Sequence, residues 1–168
     1  MAGALIVTAE IGPGDLAWLE RLRRAHYPAE RNRVPAHLTM FHALPPSAEG
    51  EVRRSLARLA NGPAPKARIE GLMNLGDGVA FRIVSTDLDQ VRRDLAEDFH
   101  GLLGAQDSGG WRPHVTVQNK APAKEARALL ERMETQFRPA PLAISGIGLH
   151  RYSDGPWQRV AIYPFRGG

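Results

Sequence analysis

One tetrapeptide pattern occurs twice in this chain: His37-Leu38-Thr39-Met40 and, starting 77 positions later, His114-Val115-Thr116-Val117. Successive side chains of a strand point to opposite faces, so each copy puts His and Thr on one face and its two apolar residues on the other. Both copies follow a proline, in Pro35-Ala36-His37 and Pro113-His114. Proline biases the residue before it toward extended backbone, which suits the entry to a strand. The fold must therefore bury one face of two similar strands and leave a His/Thr face open on each.

The flanking sequence repeats as well. Residues 4–11 form an apolar run with β-branched Ile and Val, ended by Gly12-Pro13-Gly14, and read as a buried strand. Asp15 is the expected cap of a helix whose face carries Leu16, Trp18, Leu19 and Leu22 as far as Pro28. Residues 36–44 alternate as a strand. Pro45-Pro46-Ser47 opens a second helix through Leu56 and Leu59, and residues 67–75 are strand-like. Gly76-Asp77-Gly78 signals a hairpin into a strand at 79–84. The order then begins again. Thr86 or Asp87 caps a helix with Leu88, Val91, Leu95, Phe99 and Leu102, a Gly-rich loop leads to a strand at 114–118, and Pro122 opens a helix with Ala126, Leu129, Leu130 and Met133. Strands at 140–150 and 160–165 flank the Ser153-Asp154-Gly155-Pro156 turn. The expected fold is α+β, an α/β sandwich. It consists of two pseudo-symmetric β-α-β-α-β units, each like a ferredoxin-like lobe, with a cleft between them. A single bilobal domain spans 1–168, with sequence halves of about 1–76 and 77–168 and room for strand exchange between lobes.

Composition narrows the chemistry. The chain has no cysteine, which removes thiolate nucleophiles, zinc ribbons, iron–sulfur ligation and disulfide frameworks and suits a reducing cytoplasm. No apolar stretch is long enough for a membrane span, and the first residues lack a basic stretch ahead of their apolar run, so a soluble cytoplasmic protein is expected. The net charge is +4, with 19 Arg against Lys66, Lys120 and Lys124. That balance favours anionic partners, although an Arg-rich composition also follows from a GC-rich coding bias. No G-x-x-x-x-G-K-[ST] sequence is present, so the usual triphosphate cradle is missing.

Two imidazoles are what phosphodiester cleavage needs: one takes the proton of the attacking oxygen while the other gives a proton to the leaving oxygen. Threonine hydroxyls can donate to the non-bridging phosphate oxygens. With its paired H-x-T-x motifs, P-A-H-L-T-M-F, W-R-P-H-V-T-V and the closing R-Y-S-D-G-P-W, the chain resembles the two-histidine phosphoesterase superfamily, in particular its bacterial 2′-5′ RNA ligase-like group. The resemblance implies a bilobal fold, with His37 and His114 as the catalytic pair and Thr39 and Thr116 on the phosphate. It also implies metal-independent opening, and in some members reversible formation, of cyclic or 2′-5′ phosphodiesters, with no cofactor. RNA ends or ribonucleotide cyclic phosphates are the expected substrates, and a monomer the expected state.

Other residues carry two readings each. Arg112, two before His114, would share its face and neutralise phosphate, or be solvated. Arg151, Tyr152 and Trp157 could bind substrate by charge and base stacking, or cover a core edge. Phe41 lines the cleft if its strand stays regular. His42 falls on the face opposite His37 and reads as structural, while His26, His100 and His150 belong to no motif. The working assignment makes His114 the base and His37 the acid, on strands that the sequence leaves equivalent. The rival function is an RNA- or nucleotide-binding module without turnover. A metal-dependent phosphodiesterase would need carboxylates near the histidines, and neither motif has an Asp or Glu within four residues on its own strand.

Overall fold

The computed structural model describes residues 3–167. In chain order the elements are β1 (Ala4–Ile11), α1 (Pro13–His26), β2 (Leu38–Leu44), α2 (Glu49–Leu59), β3 (Lys66–Asn74), β4 (Val79–Val84), α3 (Thr86–Asp98), α4 (Ala105–Ser108), β5 (His114–Gln118), α5 (Ala123–Gln136), β6 (Ala140–Tyr152) and β7 (Gln158–Pro164). The seven strands make one antiparallel sheet in the order β2-β1-β6-β3-β4-β5, with β7 added alongside β6. The expected mixed α/β class is the one found. β6 joins the two parts of the sheet. Its residues 140–143 pair with β3, residues 144–152 pair with β1, and residues 146–151 also pair with β7. Pairing thus crosses the midpoint of the sequence, since β3 pairs with β4 and β6 while β6 returns to β1 and carries β7 on its other stretch of edge.

Local chemistry sets the element ends. Gly12, not Asp15, caps α1, and Pro13 sits in the first turn, where its missing N–H is no loss. Asp15 instead uses its carboxylate as a brace, accepting from Trp18 Nε1 at 2.9 Å and from the Ala143 N–H of β6 at 2.8 Å. Ser85, one residue before the expected caps, closes α3. Its Oγ accepts from Leu88 N at 2.9 Å and donates to Lys66 O at 2.7 Å, a cap contributing about 1 kcal/mol. The β3–β4 turn is the expected one. Gly76 takes φ +86°, which favours glycine, and Leu75 N donates to Gly78 O at 2.9 Å.

The motif strands alternate as expected at their start: Leu38, Met40, Val115 and Val117 are fully buried, while His37, Thr39, His114 and Thr116 are half-buried. Beyond Thr39 the β1–β2 register slips between the Thr8–Thr39 and Val7–Phe41 pairs. A bulge residue interrupts strict alternation, so Met40 and Phe41 both turn inward. Phe41 is therefore core and not cleft lining. Its ring packs edge-on to Phe99 at 5.3 Å, with the Arg92 guanidinium 4.3 Å from its centroid.

β2 and β5 end the strand order on opposite sides, yet the sheet curls until they touch. Exposed strand edges carry unpaired backbone groups that invite aggregation, and side chains cover these ones. Trp111 Nε1 donates to Thr39 O at 3.0 Å, and Arg92 donates to Met40 O at 3.0 Å and Asp107 O at 2.7 Å. The buried Asp107 carboxylate accepts from His42 N at 2.8 Å and Ala43 N at 2.9 Å, with His42 Nδ1 at 3.1 Å. Burial pushes the Asp107 carboxyl up, but the hydrogen bonds from His42 and Ala43 outweigh it and hold the group below its ordinary value. His42 is thus part of an edge-covering network, although the bulge before Phe41 breaks the alternation from which its strand face was expected. Among the described residues no helix is long and apolar enough to cross a membrane.

Candidate active site

Both motif histidines are held by one device. His37 Nδ1 bonds to Pro35 O at 2.7 Å, and His114 Nδ1 bonds to Arg112 O at 2.7 Å. A carbonyl oxygen only accepts, so each Nδ1 carries the hydrogen and each Nε2 is left to exchange a proton with a ligand.

A cavity of about 390 Å³ opens beside His37 and is lined by Thr116 of the other motif together with Arg23, Lys120, Tyr152 and Trp157, among others. Arg23, only 3% exposed, belongs to the core-facing side of α1. It donates to Thr116 O at 2.8 Å, to Val34 O at 2.8 Å and to Asn32 Oδ1 at 3.0 Å. One guanidinium thereby ties the second motif's strand to the segment leading into His37. Its fork of donors matches three acceptors where a lysine would match fewer. No ion pair joins it to a carboxylate among the described residues, and Glu20, one turn back on the same helix, acts on it only through space. Arg31, Arg33 and Lys120 add positive charge to the lining, against Asp154 as the one carboxylate there. The cavity favours an anion.

The His37 ring lies 4.6 Å from the Trp157 ring, tilted by 55°, and the His150 ring lies 5.6 Å from the same tryptophan. Burial lowers the His37 pKa from 6.5 to about 4. The Pro35 hydrogen bond opposes that shift, and the positive charges of Arg23, His114 and His150 reinforce it. His37 is neutral near pH 7, with Nε2 available as a base.

Of the residues singled out in the sequence, His37, Thr116, Tyr152 and Trp157 line this cavity. His114 is half-buried outside that lining, within electrostatic reach of His37. Thr39, also outside it, sits opposite Thr8 on β1. Arg112 contributes its backbone carbonyl to His114, and its exposed side chain is not among the lining. Arg151 lies outside the lining. It alternates to the face opposite Tyr152 and pairs with Glu49 at the start of α2. The sequence reading missed Arg23, although its position seven after Leu16 and four after Leu19 places it on the apolar stripe of α1. It also missed His150, two before Tyr152 and so on the same strand face. Arg31, Arg33 and Lys120 had no comparable signal. Among the described residues, no three His, Asp or Glu side chains gather as a metal-holding group.

Comparison with known proteins fits this geometry. Residues 13–156 match the family model described as the 2′-5′ RNA ligase superfamily, and the chain belongs to that family. Both motifs and Arg23 fall within the matched region. No curated protein matches the chain. Solved structures of similar fold include the protein TT0787 of Thermus thermophilus, at 18% identity and TM-score 0.68 with 98% of each chain covered. Another is E. coli LigT complexed with NADP+, at 16% identity and TM-score 0.66 with 99% of each chain covered. The same protein complexed with 3′-AMP matches at 14% identity and TM-score 0.66, covering 98% of this chain and 99% of that one. A structure described as a phosphoesterase matches at 14% identity and TM-score 0.68, with 98% and 99% covered.

Proposed function

We propose that the protein is a metal-independent phosphoesterase that opens 2′,3′-cyclic phosphates of RNA ends or ribonucleotides with two histidines. The observation that carries this reading is the paired anchoring of His37 and His114, each by Nδ1 to the carbonyl two residues back, beside a cavity lined by the Arg23 guanidinium. Water attacks phosphorus, His37 Nε2 takes its proton, and His114 Nε2–H protonates the departing ribose oxygen. These roles reverse the working assignment from the sequence, because the lowered pKa of His37 leaves it neutral near pH 7, the form from which a base must act, with no proton to give as an acid. Thr116 and Thr39 hydroxyls donate to the non-bridging oxygens, and Arg23 supplies a fixed positive field. With a 5′-hydroxyl in place of water, the same proton transfers would form a 2′-5′ bond. The nucleotide complexes of E. coli LigT support a nucleotide ligand here.

Turnover of 2′,3′-cyclic nucleotides is expected to persist in excess chelator, followed by mass spectrometry and by locating the phosphate on the 2′- or 3′-oxygen. Chelator-sensitive turnover restored by a divalent ion would overturn the mechanism. The pH profile of kcat/KM, which reports the free enzyme, should be bell-shaped. Activity falls as His37 gains a proton, so the acid limb lies near pH 4 and not near the unperturbed 6.5. The alkaline limb reports the general acid. In kcat the acid limb should move upward, because bound phosphate favours protonated His37. Superimposable acid limbs near 6.5 in both parameters would exclude His37 as a buried base.

A further inference from the structure

A second cavity of about 270 Å³ adjoins the first, with Val34, His37 and Trp157 lining both. Its chemistry is different. Ile11, Leu16, Pro35 and Ala36 give it apolar walls, and it contains the carboxylate of Glu10. That carboxylate is held by a chain of hydrogen bonds. Thr8, 1% exposed, donates its hydroxyl hydrogen to Glu10 Oε2 at 2.7 Å, so the hydroxyl accepts from His150 Nε2 at 3.0 Å. Gly148 faces Thr8 across the β1–β6 register, and a Cβ there would stand 2.7 Å from Thr8 Oγ1. Glycine is what leaves room for this arrangement. Burial pushes the Glu10 carboxyl up, but the bonds from His150 and Thr8 and the charges of His150 and Arg159 outweigh it and keep it below the ordinary value.

A fixed carboxylate repels phosphate and only accepts hydrogen bonds, so the second cavity is built for another part of the substrate, one that is flat, apolar and rich in N–H groups. Its volume is below the usual range for whole ligands, about 300–1,000 Å³, and suits a single ring system. Trp157 supplies a face for stacking at the boundary of the two cavities. Guanine presents two neighbouring donors, N1–H and the 2-amino group, to the two oxygens of a carboxylate. Adenine and cytosine offer one amino group, and uracil one imide N–H. The exposed Arg159 reaches Glu10 Oε1 at 3.4 Å and is the contact such a base would displace.

We propose that this cavity is a nucleobase subsite selective for guanine, with Glu10 reading the base while the phosphate sits at His37. This inference rests on the first cavity being the phosphate site. The four ribonucleoside 2′,3′-cyclic phosphates should be compared with wild-type protein, together with calorimetric Kd values for guanosine and adenosine 3′-phosphates. The guanosine substrate is expected to exceed the others in kcat/KM by at least about tenfold, the effect of one hydrogen bond to a charged group. In Glu10→Gln, whose amide offers one acceptor and one donor group, the guanosine-to-adenosine ratio should fall to near one in both measurements. A melting curve on the same sample establishes that the variant is folded. Substrates turned over within about threefold of each other by wild-type protein would overturn the inference, as would a guanosine preference unchanged by the substitution. If nothing is turned over yet guanosine 3′-phosphate binds selectively, the hydrolytic reading fails and the base subsite stands. Equal binding of both phosphates overturns the subsite.

Discussion

His37→Ala and His114→Ala should each lower turnover of a 2′,3′-cyclic phosphate at least about a hundredfold, the usual effect of removing a positioned acid or base. The double variant should be little worse than either single one. Groups that serve one concerted proton transfer are strongly non-additive, whereas independent contributors would multiply their losses. Both variants should fold, because each ring is half-buried and its described hydrogen bond is a single one to a local carbonyl. Steady-state kinetics on proteins matched by circular dichroism gives the answer. Full turnover in a folded His37→Ala protein would reduce the paired motifs to a structural repeat.

The second large effect is expected at Arg23→Met. The substitution removes three hydrogen bonds from one charged donor, to Thr116 O, Val34 O and Asn32 Oδ1, and takes that donor from three acceptors on half-buried residues. Bonds from charged groups contribute about 1.5–3 kcal/mol each, offset by relief of the desolvation of a buried cation. A net loss of about 3 kcal/mol is expected, or roughly 10 °C in Tm at this chain length. Since the same guanidinium positions both motif strands and supplies the field beneath the phosphate, kcat/KM should fall by at least about a hundredfold as well. Arg23→Lys keeps the charge without the fork and should recover less stability than activity. If Arg23→Met melts and turns over like the wild type, the tie between the motifs lies elsewhere.

What the sequence made legible followed local rules. Alternation in two short strands placed His37, Thr39, His114 and Thr116 away from Leu38, Met40, Val115 and Val117, and the turn at Gly76 was visible in its glycines. The same rule failed one residue later, at Phe41, because a bulge depends on how β2 registers against β1, and register is not a property of either strand alone. The cap of α3 was displaced by one residue because Ser85 also answers to Lys66 O, a contact from β3. At the site, the chemistry-bearing pair was legible because it was repeated. Arg23 was hidden by the many arginines of the chain, and only its place on an apolar helix face set it apart. Arg151 and Tyr152 looked equivalent as neighbours, but strand geometry sends one to Glu49 and the other to the cavity.

α1 touches the architecture at two places that matter. Near its start, Gly12 N donates to Ala143 O at 2.8 Å and the Asp15 carboxylate accepts from Ala143 N, at the point where β6 changes partners from β3 to β1. Near its end, Arg23 holds the two motif segments together. The helix therefore works as the strut of a caliper: one end is fixed at the pivot in β6, the other at the jaws that carry the histidines. The strut and the curl of the sheet both bear on the same two segments. Ala143 and Asp15 thus bear on the same helix whose far end holds both motif segments.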